Sequence, residues 1–314
     1  MLTRRHIRVK VMQSLYSMEQ TQSDNLGKEE KFLLFSIDQM YELFIINLQL
    51  LVEIRKHAAD FLAKSQKKYL ATSEEKNPNT KFINNEVLLL LEKNIQLKTE
   101  IEKKKLNCWE LDDEYVTILW KEIKESELYA DYMSTKLSSF REDKDFILDI
   151  FKEIIAPNDK LYEYIEDKKL TWIDDLPLVN TSIIKMLRKV KSSHDEQMTL
   201  PKLYKDIEDK KFATDIFRKT TLNSVEYIKE IDGKTPNWDQ DRIAELDKAI
   251  IKMAICEFVK FPSIPIKVTI NEYLEIAKEY STPKSSIFIN GILDKISKEY
   301  QENGKLNKVG RGLM

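Results

Sequence analysis

Glycine and proline are scarce in this chain, with six and eight residues among 314, and that scarcity argues against turn-dense β architecture. Lysine, glutamate, leucine and isoleucine dominate instead, which favours long helices. No apolar run reaches the ~18 residues needed to cross a bilayer, so no membrane partner is expected. The basic start, MLTRRHIRVKVMQSLYSMEQ, lacks the apolar stretch and small-residue cleavage site of a secretory leader. Cysteine is limited to Cys108 and Cys256, isolated from each other, which fits a reducing cytoplasm and no disulfide framework. His6, His57 and His194 show no metal-ligand spacing to each other or to a cysteine. The expectation is a soluble cytoplasmic all-α protein without metal or cofactor.

Net charge is only −2, so the whole molecule is no generic polyanion binder. Its distribution is uneven. Residues 1–22 hold Arg4, Arg5, Arg8 and Lys10 against the single acid Glu19. A nucleic-acid surface, if present, should therefore be local and include this end. Four cations in the first turns of a helix sit at the positive end of its dipole, where each is unfavourable. A phosphate backbone reverses that sign, because helix N-terminus and guanidinium groups attract the same anion. Arg4 and Arg8 are one turn apart on one face, with Arg5 beside them, and arginine suits both bidentate phosphate contacts and stacking on unpaired bases.

Ile7, Val11, Leu15 and Met18 follow the rhythm of one helix face, with Thr3 available as N-cap. A second helical run from about Glu29 past Phe61 is apolar around much of its circumference and should be largely buried. Residues 72–82 read as a loop centred on Asn-Pro. Helical patterns return at about 83–106, 112–137, 143–156, 159–168 and 178–191, break at SSHDEQM (192–198), and resume over 200–231 and 239–260. An internal repeat runs through this pattern. DKDFILDIFKEI (143–154) resembles DKKFATDIFRKT (209–220), pairing Phe146 with Phe212, Asp149 with Asp215, Ile150 with Ile216 and Phe151 with Phe217. The same shift pairs Trp172 with Trp238 and Asp175 with Asp241, and SIIKM (182–186) matches AIIKM (249–253) one residue later. Duplication of a helical unit and chance similarity between lysine- and isoleucine-rich helices are both open.

Near the end, Thr269 and Glu272 have the spacing of a capping box that would open a helix. Pro283 suits the first position of the next helix, and Ile289, Leu293 and Ile296 share one face of it. Gly291 then falls inside that helix, where it costs about 1 kcal/mol relative to Ala. A close helix–helix crossing that a Cβ would block is the simplest offset, so Gly291→Leu is expected to overpack.

These residues resemble a known family, the bacterial transcription antitermination factor NusB. IPIKVTINEYLEIAKEYSTPKSSIFINGILDKI resembles its closing signature, NWDQDRIAELDKAIIKMAICEF the helix before, DIFRKT a middle helix, and RRHIRVKVMQSLYSMEQ the arginine-rich first helix. The resemblance implies a NusB-like helical bundle made from 1–22 and 201–300. Residues 23–200 form an inserted helical region with the partial repeat at 143–190, and 301–314 a basic, disordered tail. It implies no enzyme activity. It further implies pairing with the small-subunit ribosomal protein NusE, boxA-type single-stranded RNA and the RNA polymerase antitermination complex as partners. By position, Arg4, Arg5, Arg8, Lys10, Lys284, Phe288 and Asn290 would touch RNA, and Tyr16 and Asp247 would face the protein partner. Lys284 stands where the family usually has an acid, and Ile287 where lysine often precedes the phenylalanine.

Two other readings stay open. The same fold resembles the N-terminal domain of an RNA cytosine methyltransferase family, but neither LNCWEL nor AICEFV gives a nucleophilic cysteine its Pro-Cys context. DGKT (232–235) lacks the first glycine of a phosphate loop. A helical scaffold whose insert binds another protein would show no salt-sensitive RNA binding.

Overall fold

The computed structural model describes residues 1–67, 76–234 and 243–313, and among them every regular element is helical. In chain order the helices are α1 Arg4–Gln20, α2 Leu26–Gln66, α3 Glu86–Lys93, α4 Ile95–Lys104, α5 Cys108–Leu111, α6 Asp113–Glu125, α7 Glu127–Met133 and α8 Phe140–Ile150. They continue with α9 Asp159–Lys168, α10 Leu176–Lys189, α11 Ile207–Leu222, α12 Ser224–Lys234, α13 Glu245–Lys260, α14 Ile266–Tyr280 and α15 Ser285–Glu302. A π turn, Phe151–Ile155, extends α8, and short 3-10 turns occupy Leu170–Trp172 and Gly310–Leu313. Trp238 and Asp241 of the proposed repeat, residues 72–75 of the expected loop and Thr235 of DGKT lie outside the described residues.

The chain divides into two compact units. One joins Leu2–Ile37 to the chain from Leu203 onward, and the other holds Asp38–Lys202 with Met1. In the first, α13 is the central rod. Its residues 249–258 are buried without interruption, because α1, α11, α12, α14 and α15 all pack on it. A helix apolar on every side is stable only when surrounded in this way. On α1, Ile7, Val11 and Leu15 are buried as the stripe requires, and Thr3 is the N-cap, its N–H donating to His6 Nδ1 at 3.2 Å.

The second unit assembles on the 38–66 stretch of α2. Trp109 and Trp172 donate their indole N–H groups to the α2 carbonyls of Ile46 (2.8 Å) and Gln39 (2.9 Å). The run expected at 83–106 is two helices. Asn94 stops the first in extended backbone and caps the second, accepting from Leu97 N–H at 2.8 Å. The residues aligned by the 66-residue shift share their burial: Phe146 and Phe212, Ile150 and Ile216, and Phe151 and Phe217 are all core. Asp143 and Asp209, near the starts of α8 and α11, are both buried acids, and α8 packs on α10 as α11 packs on α13.

Two sequence expectations are corrected. Thr269 does not open a helix; α14 begins at Ile266 after Pro265, and Thr269 is buried within it. Gly291 faces open space with nothing within 4 Å of where a Cβ would stand. Its neighbours Ile289, Ile292, Leu293 and Ile296 take the core face, which rotates Gly291 outward with Ile287, Asn290 and Asp294. No crossing offsets its helical cost, so Gly291→Ala should raise stability by about 1 kcal/mol, read as a later thermal midpoint. A fall would restore the close-crossing explanation.

The last residues of the chain hydrogen-bond to the end of α13. Lys308 Nζ donates to the carbonyls of Glu257 (3.2 Å) and Phe261 (3.1 Å), and Val309 N–H to that of Pro262 (3.1 Å). A helix end leaves carbonyls without intrahelical donors. The tail supplies them at the end of α13.

Candidate nucleic-acid interface

The arginines of α1 converge on three acids brought from distant helices. Arg8 lies inside the unit, 2% exposed, and grips the fully buried Glu257 of α13 through Nε–Oε2 and Nη2–Oε1 bonds of 2.8 Å each. Glu257 also accepts from Thr269 Oγ1 (2.7 Å) and Tyr273 OH (3.3 Å) of α14. Burial pulls the Arg8 pKa down, but the charge and hydrogen bonds of Glu257 more than reverse this and leave it above the ordinary arginine value. Desolvation first, then Glu257, raises the Tyr273 phenol well above its usual range, so it stays a donor. Both Arg4 and Arg8 lie over the Phe212 ring, at 5.1 and 5.2 Å to its centroid.

Arg5 makes a second bidentate pair with Glu272 of α14, at 3.0 and 2.8 Å, and Arg4 Nε reaches Asp209 of α11 at 3.2 Å. Arg8 Nη1 adds a longer contact to Glu272 at 3.5 Å. The hydrogen bonds from Arg5, helped by the charges of Arg8 and Arg5 against opposing burial, hold the Glu272 carboxyl below its ordinary pKa. The Thr269–Glu272 pair that resembles a capping box is therefore the acid-side frame of this cluster.

Arg4, Arg5 and Arg8 line one open groove of about 750 Å³ together with Pro265 and Val268 at the start of α14 and Arg311 of the last turn. Arg4 and Arg5 keep about two-fifths of their side chains exposed on its rim. Arg8 and Lys10 are buried where α1 is wedged between α11, α13 and α14. Asp247 is buried as well. It lies on α13 and accepts from Ser281 Oγ at 2.6 Å, which ties the end of α14 to the core. Tyr16 is exposed. Lys284, the N-cap of α15, and Asn290 within it are exposed, and Phe288 is half-buried. None of these three lines the arginine groove, whereas Ile287, beside them, is 75% exposed. Pro283 precedes the helix by two residues instead of opening it.

Burial pushes the Cys108 and Cys256 thiols up to about 11, the opposite of an activated nucleophile.

The NusB family model matches residues 181–298. The chain is 41% identical over 112 residues to the transcription antitermination protein NusB of Salinibacter ruber, an alignment covering 36% of this chain and 70% of the relative. The protein of that name from Koribacter versatilis is 40% identical over 103 residues, covering 32% and 70%. The chain belongs to the NusB family. That of Chloroherpeton thalassium is 42% identical over 109 residues, covering 35% and 52%. No solved structure matches. The NusB-family match starts at residue 181 and so omits α1, which nevertheless packs on α11, α13 and α14 inside the matched region. It also stops before the turn that carries Arg311, a residue the sequence reading passed over as tail. Among the described residues no helix is long and apolar enough to cross a membrane.

Proposed function

We propose that the protein is a non-enzymatic, RNA-binding transcription antitermination factor that acts with NusE on boxA RNA of ribosomal RNA operons, within the RNA polymerase antitermination complex. Residues 1–22 and 201–300 carry the family fold in this reading, and 23–200 is an added helical region. Family membership supports the general role, and the observation that carries the RNA contact is the groove whose rim presents Arg4 and Arg5. Tyr16, exposed on α1, is the proposed NusE contact. Lys284, Phe288 and Asn290 are proposed as a separate RNA edge on α15, where the exposed Gly291 lets a backbone approach closely.

Retention of NusE by the immobilised full-length chain, strengthened by a boxA-like RNA, is the direct test. Failure to retain NusE in either condition would remove the reading. Within it, Arg4→Ala with Arg5→Ala should weaken boxA-like RNA binding and flatten its salt dependence, with helicity unchanged. Each lost phosphate contact on a single strand lowers the log–log salt slope by about 0.7. The partly exposed pairs given up cost at most about 1 kcal/mol each in stability. Unchanged affinity and slope would take α1 out of the RNA site.

A further inference from the structure

Each arginine that α1 gives to the groove arrives already neutralised: Arg4 by Asp209, Arg5 by Glu272 and Arg8 by Glu257. Arg311 differs. It is exposed, lines the same groove, and makes no ion pair among the described residues. Among these four arginines and three acids it is the excess positive charge. Its position is also held. Gly312 packs so tightly on the backbone that a Cβ there would overlap the Pro262 carbonyl. Val309 N–H bonds that same carbonyl, Gly312 N–H donates to Val309 O at 2.9 Å, and Lys308 is anchored at the end of α13. A mobile tail would spend conformational entropy when it bound, but this turn is already ordered with its guanidinium at the groove.

We propose that Arg311 is a phosphate-contacting residue and that the C-terminal turn joins the α1 rim in lining an RNA groove. This rests on the RNA-binding reading above and adds a residue outside the segment the family model matches. A strand lying in the groove meets both Arg5 and Arg311. Its phosphates meet the uncompensated cation first and then compete with Glu272 for Arg5. The exposed Val268 offers an apolar surface along the groove for a sugar or base edge.

The test is a salt titration of a boxA-like single-stranded RNA binding to the full chain, with wild type, Arg311→Ala, Arg311→Lys, Gly312→Val and Arg4→Ala/Arg5→Ala compared. Arg311→Ala should lower affinity three- to tenfold and reduce the log–log slope by about 0.7, the loss of one contact. Its melting should be unchanged, because the side chain is exposed. Arg311→Lys should recover the slope. Gly312→Val should copy the Arg311→Ala loss and add nothing to it when the two are combined. Wild-type affinity and slope in Arg311→Ala, alongside a loss in Arg4→Ala/Arg5→Ala, would overturn the proposal and leave the RNA-binding reading standing. A wild-type chain that binds no RNA would overturn both.

Discussion

Replacing Glu257 by leucine should destabilise the unit built on α13 by about 3–5 kcal/mol, the cost of leaving a buried charge without its partner. Arg8 is held by two 2.8 Å bonds to this one carboxylate, and its other acid, Glu272, lies at 3.5 Å and is engaged by Arg5. The Arg8 side chain is only 3% exposed. Replacing both charges with apolar groups, Arg8→Met with Glu257→Leu, should recover most of the loss, because well-packed apolar pairs often match buried ion pairs. Thr269 can still donate to the Pro265 carbonyl at 3.4 Å, but Tyr273 loses its acceptor, so Tyr273→Phe should complete the recovery. The described tryptophans Trp109, Trp120 and Trp172 belong to the Asp38–Lys202 unit, so denaturation followed by far-UV circular dichroism is the suitable readout. A loss under 1 kcal/mol for Glu257→Leu would mean that Arg8 is free after all and belongs among the RNA contacts.

The helical architecture was legible because apolar spacing reports burial locally. Ile7, Val11 and Leu15 mark the inner face of α1 whatever packs on it. Ion partners carry no such local mark. Asp209, Glu257 and Glu272 lie 205, 249 and 267 residues from the arginines they neutralise, so four cations at a helix start looked like an unmet demand for phosphate. The helix dipole argument had the right sign, and in the free chain the protein's own carboxylates answer most of the demand. The same residue types also mislead by resemblance. Thr269 and Glu272 fit a capping motif one turn apart, yet that spacing equally puts a hydroxyl and a carboxylate on one face to meet an incoming guanidinium layer. Asn94 was readable as a cap, but the apolar rhythm on either side of it hid the break. Gly291 was placed correctly in a helix and wrongly on its inner face, since four apolar neighbours already filled that face. Arg311 could not be found from pattern, because its importance comes from a close backbone approach at Gly312 and from the neutralisation of every other arginine in the groove.

Glu272→Gln should strengthen binding of a boxA-like RNA about tenfold, a gain produced by deleting a charge and adding no contact. Glu272 is the acid that lines the groove beside Arg5, and an incoming phosphate must displace or share it. Two unit charges about 6 Å apart interact by roughly 3 kcal/mol at an effective dielectric of 20, and partial exposure and salt reduce this to the ~1.4 kcal/mol of a tenfold change. The variant loses a partly exposed pair, worth at most about 1 kcal/mol of stability. The pH dependence gives a second signature with a fixed sign. Arg5 lowers the Glu272 pKa in the free protein, so the pair contributes stability above the ordinary carboxylate range and loses it as pH falls through the lowered value. When a phosphate engages Arg5, Glu272 loses that support and its pKa rises. RNA binding is then coupled to proton uptake, and wild-type affinity should climb as pH falls from about 6 toward 4. His6 also faces Glu272, and its charge adds a smaller share to the lowering of the carboxyl pKa. Glu272→Gln should flatten the slope. An affinity gain absent from the variant, together with an equal pH slope in both proteins, would place the RNA strand away from Arg5 and away from this groove.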